Sequence, residues 1–192
     1  MIQIKDLGYE PDDLIVRISE MMVATADESD AGIENSVPEV LRLLREKMQM
    51  DMVFVSEFLD GERIFRYVDS EPESVAPAPG DSDPLEETWC QRVVDGRLPP
   101  YIPDASKDPL SAPLEKKLPF RVGTFISSPI VLRGGEVYGT LCCLSYTPVN
   151  NSDSSDLKRL QYTAQLMAGK IDRRRASNKR DDAPPDDWVL VP

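Results

Sequence analysis

Cys90, Cys142 and Cys143 are the side chains best suited to nucleophilic or redox chemistry in this sequence, which contains no histidine. A thiol attacks as its thiolate, so it must sit near a cation or donor that lowers its pKa. Cys90 lies in Thr88-Trp89-Cys90-Gln91-Arg92. Beside an arginine it could serve as a nucleophile or as the attachment point of a chromophore, although no imidazole is at hand to activate it. The plainer reading makes Cys90 a small buried hydrophobe next to Trp89, a core anchor. Cys142 and Cys143 are adjacent in an apolar run of strand character, where successive side chains point to opposite faces. They therefore cannot easily act together as a dithiol or metal clamp, and packing accounts for both. Asp104 and Asp108 lie in a proline-laden stretch, in Ile102-Pro103-Asp104-Ala105 and Lys107-Asp108-Pro109. Either could accept hydrogen bonds from a ligand or close a turn on its own backbone. Gly139, inside an apolar strand, marks a close backbone approach, a bulge or room for a ligand.

The missing histidine excludes zinc hydrolases, Ser-His-Asp triads and His-ligated haem. With 22 Lys and Arg against 34 Asp and Glu the formal charge is −12, which repels phosphate backbones and anionic bilayers and argues against nucleic acid as a partner. Gly134-Gly135 reads as a turn, since neither a Walker-type lysine nor a three-glycine fingerprint accompanies it. The run Arg173-Arg174-Arg175 complements the negative end of a final helix. An odd number of cysteines, two of them adjacent, suits thiols kept reduced in the cytoplasm. No charged-then-apolar leader opens the chain, and its densest apolar stretch, Phe125 to Leu132, is too short to span a bilayer, so no membrane role is expected.

At 192 residues, 41% apolar and 29% charged, the elements holding these residues belong to one domain. Leu14, Ile15, Ile18, Met21 and Met22 recur on one helical face. Ser36-Val37-Pro38-Glu39 has the form of a capping box and predicts a second helix from there to about Gln49. Apolar runs on either side of Asp60-Gly61 predict a hairpin. Asp83-Pro84-Leu85-Glu86 predicts a further capping box, opening the short helix that carries Cys90. The stretch from Pro99 to Pro119 reads as a lid too irregular for a sheet. A second hairpin turns at Gly134-Gly135. The last helix starts at Ser154 or Ser155, and its apolar residues Leu157, Leu160, Ala164, Met167 and Ile171 form a heptad seam. That seam packs either on the first helix or on a second copy of the chain. The element order argues for an α+β fold with an antiparallel sheet covered on one face by the terminal helices.

The run Asp83-Pro84-Leu85-Glu86-Glu87-Thr88-Trp89-Cys90-Gln91, the lid from Leu98-Pro99 to Asp104-Ala105, Val122-Gly123-Thr124-Phe125-Ile126-Ser127-Ser128-Pro129-Ile130, and Val137-Tyr138-Gly139-Thr140-Leu141-Cys142 together resemble a GAF domain. The resemblance spans Asp13 to Ile171. It implies a central antiparallel sheet of five or six strands, with a small-molecule site between sheet and lid at Trp89, Cys90, Asp104, Asp108, Phe125, Ser127, Gly139 and Cys142. It also implies a homodimer through the terminal helices, with Leu14, Ile18, Leu157, Leu160, Ala164, Met167 and Ile171 at the interface. Residues 1–10 would be an extension, 11–177 the domain and 178–192 a flexible acidic tail. The cofactor stays unknown. Phytochrome-type and haem-binding GAF domains rely on a histidine, so haem and a typical bilin are disfavoured, while a Cys90 adduct remains formally open. The function implied is a cytosolic small-molecule-sensing domain without its own output domain, acting through dimerisation or a downstream signalling protein. The alternative is a thiol enzyme resembling free methionine-R-sulfoxide reductase with Cys90 as nucleophile, although Ser145-Tyr146 stands where that group has an acidic ending. A third possibility is a scaffold whose pocket is filled around Trp89 and Phe125 by its own side chains.

Overall fold

A computed structural model describes residues 12–24, 30–116 and 118–181. Helix α1, Asp13–Ala24, begins where Asp12 accepts hydrogen bonds from the backbone of Leu14 and Ile15, an N-cap. Helix α2, Asp30–Met48, starts six residues before the capping box expected at Ser36, and Pro38 lies inside it. The Ser36 hydroxyl is 3.0 Å from Lys170 Nζ, so it is engaged in packing rather than in a cap.

Strands β1, Met52–Leu59, and β2, Glu62–Ser70, form the first hairpin. Asp60 and Gly61 both take positive φ, 52° and 80°, as the tight turn requires. Ser82–Pro84 forms a short strand, β3, on the edge of β2, where sequence reading expects a helix start. A 3₁₀ turn, Leu85–Glu87, intervenes before helix α3, Trp89–Val94, and Thr88 caps α3 by accepting from the Gln91 N–H at 3.1 Å. The lid is also less irregular than its prolines suggest. Tyr101–Ile102 forms strand β4, and Ala112–Glu115 a single helical turn, α4. The second hairpin joins β5, Phe125–Val131, to β6, Val137–Leu144, and α5 runs from Ser154 to Asp181. The helix thus continues past the expected boundary at 177, while residues 1–10 and the tail beyond 181 lie outside the described residues.

The six strands make one antiparallel sheet in the order β3-β2-β1-β6-β5-β4. Alternation along the strands sorts their side chains into two cores. Val53, Val55, Ile126, Leu141 and Cys143 face α1, α2 and α5. Met52, Phe54, Phe65, Phe125, Cys142 and Leu144 face α3 and the loops around it. Cys142 and Cys143 thus part to opposite faces, as their adjacency in a strand dictates.

The seam of α5 lies inside the chain. Leu14, Ile18, Leu160, Ala164 and Met167 are buried in the first core, with Leu157 and Ile171 packed against it. Leu14, Ile18, Leu160, Ala164 and Met167 are thus corrected from a dimer interface to an intramolecular core, because α1, α2 and the sheet already cover the stripe that the heptad spacing exposes on an isolated helix.

Candidate functional site

The second core contains a buried polar line. Phe54, Cys142 and Ser127 stand in one cross-strand row over β1, β6 and β5, and Thr140 follows Cys142 on the same face of β6. The Cys142 sulfur lies 3.1 Å from Ser127 Oγ and 3.2 Å from Thr140 Oγ1, and Thr140 in turn meets Ser56 Oγ at 2.9 Å. The first turn of α3 then brings Cys90 down onto this row, with Cys90 Sγ 3.4 Å from Cys142 Sγ. Both thiols are fully buried and reduced.

Arg63 completes the site from β2. Two residues from Phe65 in the strand, it shares that ring's face and extends inward until Nη1 is 3.4 Å from Cys90 Sγ. Its guanidinium carbon sits 4.4 Å from the centre of the Phe65 ring and 5.7 Å from that of Phe54, and Asp83 on β3 pairs with Nη2. Only 14% of the side chain remains exposed. Its Nε is buried without a hydrogen-bond partner.

These contacts set the charge states. A hydrogen bond from Cys142 is the largest influence on Cys90; burial opposes it, and the Arg63 charge and the Thr140 hydroxyl assist, so the Cys90 pKa is lowered to about 5. Burial raises that of Cys142, and the neighbouring Cys90 charge raises it further. Burial alone would lower the Arg63 pKa, but Cys90 and Asp83 outweigh it and hold the guanidinium above its ordinary value. The contacts favour the thiolate at Cys90, between the Cys142 thiol and the Arg63 guanidinium, a combination suited to nucleophilic or redox chemistry.

The expected site residues divide. Cys90, Cys142 and Ser127 come together, and Trp89 and Phe125 stack edge to face beside them at 5.2 Å. Asp104 does not join them: it binds Lys107 Nζ at 2.7 Å and the Ser106 hydroxyl at 2.6 Å, closing a turn. Asp108 accepts from the Leu110 and Ser111 N–H groups, at 3.0 and 2.8 Å, and shapes the start of α4. Gly139 leaves no room for a ligand, because a Cβ there would stand 1.9 Å from the Ser56 carbonyl oxygen. The lid is pinned as well, with Thr124 donating to the Pro103 carbonyl at 3.0 Å and Ser111 to that of Ala105 at 2.9 Å. Arg63 is the residue that sequence reasoning missed. Its signal was the two-residue spacing to Phe65 in a strand.

Open space lies elsewhere. A cavity of about 520 Å³ opens on the helical side of the sheet, among Val37, Glu57, Arg66, Tyr138, Lys170 and Arg174. The region over Cys90 is filled by Trp89, Phe125, Phe54, Phe65 and Ile102, all buried.

A six-stranded antiparallel sheet with long helices on one face and a short helix and pinned loops over a buried polar site on the other defines a single-sheet α+β module. The GAF domain model matches residues 33–171, and the chain belongs to the GAF domain family. Membership points to a small-molecule-binding sensory domain. Among solved structures it is similar to the GAF domain of an Acinetobacter phosphoenolpyruvate-protein phosphotransferase, with 18% identity, a TM-score of 0.65, and 87% of this chain and 96% of that one covered. It is also similar to free methionine-R-sulfoxide reductase from Neisseria meningitidis in complex with its substrate, with 14% identity, a TM-score of 0.64 and coverage of 88% and 96%. A phycocyanobilin-bound GAF domain from a cyanobacterial phytochrome aligns with 13% identity, a TM-score of 0.65 and coverage of 89% and 98%. At these identities the likeness shows the fold. No curated protein sequence matches the chain.

Proposed function

We propose that this chain is a cytosolic sensory domain that binds a small molecule bearing an acceptor group, such as a carboxylate, at the Arg63 guanidinium, where the side chains packed over Cys90 must part to admit it. The carrying observation is the orphaned Nε of Arg63, buried among Phe54, Phe65 and Cys90. A buried donor without a partner is costly, and an anionic group drawn onto the guanidinium would relieve it through a charge-assisted bond. Three buried free thiols support the reducing compartment. Output passes through helix pairing with a second copy of the chain or through a downstream protein.

Native mass spectrometry of the protein purified from its own host tests the reading. A co-retained acidic small molecule, lost in a folded Arg63→Leu variant, is the expected result. A bare polypeptide mass from protein with native circular dichroism, or retention that ignores Arg63, would overturn it.

One observation favours the thiol-enzyme reading, namely the cationic partner of Cys90. Thioredoxin-coupled reduction of free methionine sulfoxide, abolished by Cys90→Ala, would establish it in place of the sensory one.

A further inference from the structure

Cys90 and Cys142 lie on different elements, 52 positions apart, yet their sulfurs face each other at van der Waals distance inside one core. We infer that the two thiols form a reversible disulfide when the protein meets a hydroperoxide, making this face of the sheet a redox-modification site. The inference stands apart from the ligand reading above and needs no bound molecule.

Geometry carries it. A disulfide needs the sulfurs to close from 3.4 Å to about 2.05 Å, a movement within reach of side-chain torsions when the two chains already point at each other. The surroundings of the two thiols differ. Cys90 faces Arg63 Nη1 at 3.4 Å, which favours its thiolate, whereas burial holds the proton on Cys142, whose thiol points at the hydroxyl oxygens of Ser127 and Thr140. One sulfur is thus the attacking group and the other the resolving thiol. Cys143, on the opposite face and packed in the helical core, cannot reach either.

The chemistry balances in two steps. The Cys90 thiolate attacks one oxygen of hydrogen peroxide, the O–O bond breaks, a proton is taken up, and water leaves while Cys90 becomes a sulfenic acid. The Cys142 sulfur then attacks the Cys90 sulfur, its proton passes to the departing hydroxyl, and a second water leaves. Both thiols have been oxidised by one equivalent of peroxide, and a dithiol reductant reverses the reaction. The bond would join α3 to β6 and remove the thiolate that partners Arg63, which leaves that guanidinium with Asp83 and the rings of Phe54 and Phe65.

The test treats the full chain with hydrogen peroxide and maps disulfides by peptide mass spectrometry without reduction. The expected product is one intramolecular Cys90–Cys142 link, two hydrogen masses below the reduced chain and reversed by dithiothreitol. Its Tm should rise by about 5–10 °C, since the cross-link closes a long loop. Cys143→Ser should form the same link, and Arg63→Leu should form it about tenfold more slowly. A Cys90 sulfinic acid without a cross-link, a link through Cys143, or thiols left unreacted by excess peroxide would each overturn the inference, and because the wild-type chain supplies that readout, no variant has to fold for it to stand or fall.

Discussion

Arg63 shows how a single charge can be kept under cover. Desolvating a guanidinium costs several kcal/mol unless paired groups offset it. Here the offset has three parts: the rings of Phe65 and Phe54, the Asp83 carboxylate and the Cys90 sulfur. The last of these makes stability depend on pH. In the folded chain the Cys90 pKa is lowered to about 5, below the value of about 8.5 for an unperturbed thiol. Between those limits the unfolded chain carries a proton that the folded chain has released, so stability rises with pH. The contribution is full above about pH 8.5 and lost as the pH falls through about 5. Cys142, raised in the fold, acts in the opposite sense only above its ordinary value. Urea midpoints taken from about pH 5.5 to 8 should therefore climb more steeply for the wild type than for Cys90→Ala. Parallel curves would show that Cys90 is protonated and that Arg63 draws no charge from it.

Between elements, backbone proximity sets the tolerances. A Cβ on residue 139 would lie 1.9 Å from the Ser56 carbonyl oxygen and 2.9 Å from Glu57 Cα. Both atoms belong to the backbone of β1, so no side chain can swing aside. Gly139→Ala should cost about 3 kcal/mol, the upper end for overpacking a core, read as a fall in the urea midpoint. A loss under about 1 kcal/mol would mean that β1 and β6 part locally without penalty. Gly139 illustrates what was legible. Its presence in an apolar strand announced a close approach, but only the register of β6 on β1 decided between neighbouring backbone and ligand. Both hairpins were readable because Asp60-Gly61 and Gly134-Gly135 are local signals. β3 and β4, three and two residues long, were not, since such edge strands exist through the neighbours that offer them free hydrogen bonds. The early start of α2 was hidden for a related reason: Ser36 and Glu39 match a capping box, yet tertiary contact with Lys170 claims the serine. The thiol pair left no trace in spacing because α3 and β6 meet only in three dimensions.

At the scale of the whole molecule, the burial of the α5 seam moves the search for a partner surface to the outside of the helical layer. Val16, Ser19 and Val23 fall on one face of α1 at spacings of three and four. Ser19 shares a hydrogen bond with Tyr162 of α5 at 3.1 Å, which joins the two helices into one outer surface. Val16 is 39%, Val23 64% and Tyr162 36% exposed, whereas Leu160 is fully covered. The homodimer proposed above would use this strip, because pairing two copies there buries apolar area without opening either core. Sedimentation of the wild type should then give a dimer, and the double variant Val16→Glu, Tyr162→Glu a monomer with unchanged circular dichroism. Leu160→Glu should behave differently, losing folded structure by about 4 kcal/mol or more because it forces a charge into the core. A wild-type monomer at high concentration, or a dimer indifferent to the double variant, would remove this strip from consideration.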